Sequence, residues 1–86
     1  MKKIDIEHAL EYWDDILLAD GFNDAIVGIH SDTGVVYYSK EAVIQILIQE
    51  HGMSDIDAME YADYNVFGAY VGEKTPIFLE DFFIEQ

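Results

Sequence analysis

The chain has 86 residues, 51% of them apolar, and no cysteine, so neither a disulfide framework nor a thiolate metal site can form. Eighteen acidic residues stand against four basic ones, which gives a formal net charge of −14 at pH 7. Because proteins bind nucleic acids and anionic membranes through Lys and Arg, this balance argues against direct binding to either. We expect the surface to attract a basic partner instead, unless the charge serves solubility alone.

This length predicts one domain over residues 1–86, with a modest core and little room for a deep substrate cavity. No apolar run approaches the roughly 20 residues that a membrane-spanning helix requires. The Met-Lys-Lys start has the charge of a signal sequence, but acidic residues interrupt the apolar stretch that should follow. We therefore expect no signal peptide and a cytoplasmic protein.

Apolar residues at helical spacing predict a first helix over Asp5–Asp20. Its apolar stripe consists of Ile6, Ala9, Leu10, Trp13, Ile16 and Leu17. The opposite side carries four acids, Glu7, Glu11, Asp14 and Asp15. A β-hairpin is predicted next over Phe22–Tyr38, because two β-branched or aromatic runs flank the turn Ser31–Gly34. Gly28 within the first strand suggests a close approach, for example of the Trp13 ring.

The stretch Ser39–Gly52 is predicted to form the central helix, with Ser39 as N-cap and Gly52 as the C-terminal stop. The core is expected to be built on five of its residues, Val43, Ile44, Ile46, Leu47 and Ile48. The arc left for water contains Glu41, Gln45 and Gln49. Because the apolar arc covers roughly two-thirds of the circumference, it must be covered on more than one side, by the chain itself or by a second copy.

A third helix is predicted to begin after Ser54, which forms a capping pattern with the acid three residues on. Its buried face is expected to contain Ile56, Met59, Ala62, Val66 and Phe67, and its exposed face Asp55, Asp57, Glu60 and Asp63. A turn at Gly72 then leads to a last strand around Ile77–Leu79. The predicted fold class is α+β, a three-stranded antiparallel sheet packed with three helices in the order α-β-β-α-α-β.

The residue types that carry catalysis do not form a recognisable arrangement in this sequence. The histidines, His8, His30 and His51, fall in three different predicted elements and lack the spacing of a zinc site. Carboxylate pairs can always be found among eighteen acids, so such a pair alone indicates nothing. We predict no catalytic residues, no metal and no cofactor, and a protein that is not an enzyme.

Two sets of residues are candidates for binding. If the first and third helices dock side by side, their acids form one ridge that a DNA- or RNA-binding cleft would accept: Glu7, Glu11, Asp14, Asp15, Asp55, Asp57, Glu60 and Asp63. The alternative is a solvated face on each helix. A second set offers a possible binding surface, since tyrosine combines apolar area with a polar tip, but its helical spacing is more typical of core packing or self-association in a dimer: Tyr61, Tyr64, Phe67 and Tyr70.

Several stretches of the sequence are distinctive, namely Ala19–Gly28, Gly52–Ser54, Ala58–Tyr61 and Asn65–Phe78, the last of which contains Gly-Ala-Tyr-Val-Gly-Glu-Lys-Thr-Pro. Together they resemble a family of small acidic proteins encoded by bacteriophages. The resemblance implies phage origin and a shared fold, and it brings no catalytic residues. Small acidic phage proteins include inhibitors of host defence, such as anti-CRISPR and anti-restriction proteins, some of which mimic DNA.

The charge and the resemblance together predict a non-enzymatic phage protein that acts in the bacterial cytoplasm. It would use its acids to bind a basic surface of a host nucleic-acid-binding or defence protein, and would inhibit that protein by occupying the surface. The alternative is a small structural or assembly protein that forms a homodimer through its apolar arc or its tyrosines.

Overall fold

The computed structural model describes residues 6–13, 15–69 and 71–81. The predicted α+β class and the order α-β-β-α-α-β are confirmed. The elements are α1 (Ile6–Tyr12), β1 (Ile26–Ile29), β2 (Val36–Ser39), α2 (Lys40–His51), α3 (Asp55–Ala62) and β3 (Ile77–Leu79). A short 3₁₀ turn, Asn23–Ala25, precedes β1, and a π-helical segment, Asp63–Phe67, continues α3.

The sheet has β2 at its centre and is mixed, so the prediction of a purely antiparallel sheet is wrong. β1 and β2 form the predicted antiparallel hairpin, whereas β3 pairs with β2 in parallel. A tight turn would have reversed the chain direction between β2 and β3. Because both helices lie between these strands, the chain can cross over and re-enter the sheet in the same direction.

Helix α2 packs against the sheet with the caps that the sequence predicted. The Ser39 hydroxyl accepts a hydrogen bond from the Ala42 N–H at 3.0 Å, and Gly52 ends the helix in the left-handed conformation with φ of 67°. Val43 and Leu47 are fully buried, as expected. The other three predicted core residues of this helix, Ile44, Ile46 and Ile48, are only half-buried at the margin of the core.

The first helix is much shorter than predicted, because α1 ends at Tyr12 and residues 15–19 form no helix. Leu17 lies beyond the end of the helix and is exposed, and Leu10 is exposed although it lies within α1, so the predicted stripe is not buried as one surface. Continuing the helix would place the carboxylates of Glu11 and Asp15 one turn apart, where like charges destabilise a helix.

Helix α3 buries a different face from the one predicted. Ala58 and Ala62 are completely buried, whereas Ile56 and Met59 are 68% and 52% exposed. The two alanines belong to the core cluster, and their small side chains allow α3, which neighbours α2, to lie close to the core. The N-cap is the predicted one, since the Ser54 hydroxyl accepts a hydrogen bond from the Asp57 N–H at 3.2 Å.

The Trp13 ring packs on the β1–β2 turn rather than on the strand glycine. Trp13 Nε1 donates a hydrogen bond to the Ser31 carbonyl at 3.0 Å. A Cβ atom at Gly34 would lie 2.9 Å from Trp13 Cβ and Cγ, whereas a Cβ at Gly28 would meet nothing within 4 Å. The expected contact between Trp13 and Gly28 is therefore wrong.

Tyr38 occupies the centre of the core and holds the segment before the hairpin in place. Its side chain is fully buried and its ring stacks on Phe78 with 5.2 Å between centroids. The hydroxyl accepts a hydrogen bond from the Ala19 N–H at 2.7 Å. Burial raises the pKa of the Tyr38 hydroxyl above its usual 10.0, and the hydrogen bond from Ala19 offsets part of this rise.

We expect Tyr38→Phe to lower the free energy of unfolding at neutral pH by about 0.5–1.5 kcal/mol, because the Ala19 N–H loses its acceptor. Above pH 10.0 the unfolded chain loses the Tyr38 proton while the folded chain keeps it, so this group contributes less stability as pH rises toward the folded pKa. The difference in the free energy of unfolding between wild type and variant should then become smaller. Urea titrations from neutral to alkaline pH measure this difference. A difference that stays constant across this range would contradict the raised pKa.

Candidate protein-binding surface

The acids of α3 lie where the sequence placed them, on the exposed side of the helix. Asp55, Asp57, Glu60 and Asp63 are all exposed, as are Glu7, Glu11 and Asp15 near the start of the chain. Asp14 lies outside the described residues. The carboxylates thus point to solvent, and their arrangement depends on how the helices pack.

The neighbour of α3 is α2 rather than α1. Helix α1 instead leads into Trp13, which is bound to the β1–β2 turn at Ser31. In the part of the chain that is described, the two acidic helices are therefore not docked side by side, as the predicted ridge of eight carboxylates required. The acids of α3 are brought together with a different set of residues.

A groove of about 430 Å³ lies between α2 and α3, and we call it the α2–α3 groove. Helix α2 lines it with residues three or four apart, Glu41, Ile44, Gln45 and Ile48. Helix α3 and the π-helical segment line it with every fourth residue, Asp55, Met59, Asp63 and Phe67. This spacing means that one face of each helix is turned toward the groove.

Five carboxylates line the α2–α3 groove, and three of them were not among the predicted site residues. Asp55 and Asp63 were predicted, whereas Glu41, Glu80 and Asp81 were not. The sequence partly indicates that Glu41 belongs to the groove, because Glu41 lies on the same helical face as Ile44 and Ile48. Glu80 and Asp81 follow β3 and reach the groove only because β3 lies parallel to β2, next to the start of α2.

The end of the groove near the start of α2 is fixed by hydrogen bonds and one ion pair. The Ser39 hydroxyl donates to Asp81 Oδ2 at 2.6 Å, and the Glu41 N–H donates to Asp81 Oδ1 at 3.4 Å. A carboxylate at this position also interacts favourably with the N-terminal end of a helix dipole. Lys40 Nζ donates to Glu80 Oε1 at 2.9 Å and lies 5.1 Å from the centre of the Phe67 ring.

The two lysines in the described ranges are already engaged and do not pair with Asp55 or Asp63 in the groove. Lys40 pairs with Glu80, and Lys74 Nζ donates to the Thr33 carbonyl. The carboxylates of Asp55 and Asp63 form no hydrogen bond or ion pair with any residue in the described ranges. A cation for these two acids would have to come from outside the part of the chain that is described.

The residues predicted for self-association differ in how exposed they are in the structure. Tyr61 and Tyr64 are 44% and 87% exposed. Phe67 is half-buried and packs against Phe78, with 5.1 Å between ring centroids. Tyr70 lies outside the described residues. Two exposed tyrosines one turn apart remain available for contact with a second copy.

The histidines and acids do not converge on a reactive centre among the residues that are described. His8, His30 and His51 lie in different parts of the fold. No group of three or more His, Asp or Glu residues in these ranges is arranged to hold a metal ion. Within the same ranges, no helix is long and apolar enough to cross a membrane. The candidate site that the described residues form is the α2–α3 groove with its acidic rim.

Comparison of the chain with protein-family models, with curated proteins and with solved structures gives no match.

Proposed function

We propose that this chain is a non-enzymatic phage protein that binds a basic surface of a host nucleic-acid-binding or defence protein and inhibits it, in the manner of anti-CRISPR or anti-restriction proteins. It acts in the cytoplasm of the bacterial host. The observation that carries this proposal is the exposure of two carboxylates, Asp55 on α3 and Asp63 at the start of its π-helical continuation, neither of which pairs with a cation among the described residues.

The size of the charge favours binding over solubility. A small domain needs a net charge of only about 2–8 in magnitude to stay soluble. This chain carries −14. Repulsion among so many like charges destabilises the compact state, so the excess has a cost in stability that solubility alone does not require.

Inhibition follows from competition for the same cations. A protein that binds nucleic acid presents Lys and Arg to neutralise phosphates. Carboxylates held on a rigid helix can neutralise those side chains instead, and direct contact then blocks access of the nucleic acid. A DNA-mimicking surface of this kind needs no reaction and no cofactor.

The test is a pull-down from bacterial lysate at low salt, followed by a wash at about 0.5 M salt, where the Debye length falls well below 10 Å. We expect the bait to capture a nucleic-acid-binding protein that the wash releases. Neutralising three α3 acids, by Asp55→Asn, Glu60→Gln and Asp63→Asn, should reduce capture about tenfold or more. The charge-matched control carries Asp20→Asn, Asp32→Asn and Glu73→Gln, which are exposed acids in turns.

The control is expected to keep most of the capture. Equal loss in both triple variants would mean that net charge, rather than a surface on α3, attracts the partner. Capture of no basic protein, or capture that survives the salt wash and all six substitutions, would contradict the proposal.

A structural or assembly role as a homodimer is the second candidate, and it is favoured by the exposure of Ile56 on α3 and of Tyr64 on the π-helical segment. Tyrosines of this kind anchor many protein interfaces. Sedimentation equilibrium tests this candidate, because a dimer has twice the mass of the 9.8 kDa chain. Tyr64→Ser should then return the protein to the monomer mass.

A further inference from the structure

We propose that the α2–α3 groove binds a basic amphipathic helix, a segment whose apolar stripe is flanked by Lys and Arg. This inference rests on the proposed function and specifies which part of the partner is recognised. It commits the site to a protein segment of stated chemistry. A partner that presented only a flat surface of phosphate-binding lysines would contact the acidic rim and leave the groove unfilled.

The first support is the shape of the site. Residues 41–48 of α2 and 55–63 of α3 line the groove, which at 1.5 Å per residue corresponds to about 10–12 Å of helix on each side. This length accommodates about two turns of a third helix. A groove between two helices is the standard receptor for an amphipathic helix that inserts residues at i, i+3, i+4 and i+7.

The second support is the apolar floor. Ile44 and Ile48 from α2 and Met59 from α3 line the groove, and Met59 is 52% exposed although it is apolar. A surface that only imitated phosphates would present carboxylates to the partner without such a floor. Apolar side chains from the partner would remove this area from water, and an unbranched methionine adapts readily to different partners.

The third support is the charge around the floor. The rim has five carboxylates, and the one cation among the described lining residues, Lys40, is already paired with Glu80. Asp55 and Asp63 sit two turns apart on the same face of α3 and its continuation, so cations on a partner helix at similar spacing could meet both. The same rim repels nucleic acids and anionic lipids and favours a basic occupant, and the apolar floor favours a protein segment over a compact polycation.

The probe is a synthetic helical peptide of about 14 residues with leucines on one stripe and lysines elsewhere, long enough for measurable helicity. Its control is a peptide of the same composition with the stripe scrambled. Calorimetric titration of the full-length protein should show the amphipathic peptide binding at least about tenfold more tightly than the scrambled one.

Two matched double variants locate the binding site. Met59→Gln with Asp63→Asn changes the floor and the rim, and should weaken binding about tenfold or more. Val71→Gln with Glu73→Gln removes the same chemistry from exposed positions that do not line the groove, and should change affinity less than about twofold. Circular dichroism of both variants confirms that the fold is retained.

Three results would overturn the proposal. The first is equal affinity for the amphipathic and scrambled peptides, and the second is equal loss in the two double variants. The third is displacement of the peptide by spermine at matched charge concentration, which would indicate a site for compact polycations. None of these three results would change the outcome of the pull-down, so failure of the groove proposal can be distinguished from failure of the proposed function. Failure of the pull-down with intact peptide binding would instead refute the inhibitor function and keep the groove.

Discussion

Replacing Gly34 with alanine is expected to lower the free energy of unfolding by about 2–4 kcal/mol, because two costs combine at this position. Gly34 has φ of 78°, a left-handed conformation that a Cβ atom disfavours. The new methyl group would also lie 2.9 Å from Trp13 Cβ and Cγ. These atoms are next to the Trp13 backbone, so rotation of the ring cannot relieve the clash and the end of α1 must shift.

Denaturant titration measures the global loss, and the fluorescence of Trp13, the only tryptophan, reports the local change. We expect the emission to shift to the red as the indole leaves the turn. Gly28→Ala is the control, since a Cβ there meets nothing within 4 Å. Strand glycines are unfavourable by about 0.5–1 kcal/mol relative to alanine, so this variant should be neutral or slightly stabilised. If both variants lose equal stability, the close approach of Trp13 to Gly34 is wrong.

Leu47→Ala is expected to cost about 2–5 kcal/mol, because the substitution removes apolar contacts and leaves a cavity that the core cannot fully close. Leu47 is 2% exposed and packs in the cluster that contains Tyr38 and Val43. A domain of this length has a total stability of only about 4–13 kcal/mol. The variant should therefore unfold at a much lower denaturant concentration, with an unchanged m-value if the loss is local.

Two variants of the same helix serve as controls for Leu47. Ile48→Ala removes a side chain of equal size that is half-buried and lines the α2–α3 groove, and it should lose less than half as much stability. Gln49→Ala, on the exposed arc, should change stability by no more than about 0.5 kcal/mol. An equal loss for Leu47→Ala and Ile48→Ala would show that the groove floor belongs to the core and is unsuited to receive a partner.

The central helix shows why an excess of apolar surface in a sequence does not by itself identify an interface. Its apolar arc is covered by the sheet and α3 at Val43 and Leu47, and it remains half-open at Ile44 and Ile48. The open part coincides with the acidic rim. A partner that carries both cations and apolar side chains would therefore bury the exposed apolar area and pair with the carboxylates around it.

Features that depend on neighbouring residues were predictable from the sequence. Ser39 and Ser54 cap their helices, and Gly52 ends α2, because each uses a side chain or a backbone conformation within five residues of its partner. The hairpin around Gly34 follows from the same kind of local chemistry. The exposure of the acids on α3 was also predictable, because unpaired charges are rarely buried.

The remaining features depend on contacts between residues that are distant in sequence. The length of α1 could not be read from its periodicity, since the chain leaves the helix where Trp13 meets the turn and Ala19 meets Tyr38. The choice of Ala58 and Ala62 over Ile56 and Met59 as the buried face of α3 depends on how α3 packs on the core.

The sequence by itself determined the α+β class, the order of the elements, the caps and an acidic surface, because these depend on local chemistry and on total charge. Only the tertiary structure decided which acids share a surface. The direction of β3 brings Glu80 and Asp81 to the start of α2, and the packing of α2 against α3 brings Glu41 together with Asp55. Neither depends on local propensity, because in both cases a long connection or a helix interface places residues together that are far apart along the chain.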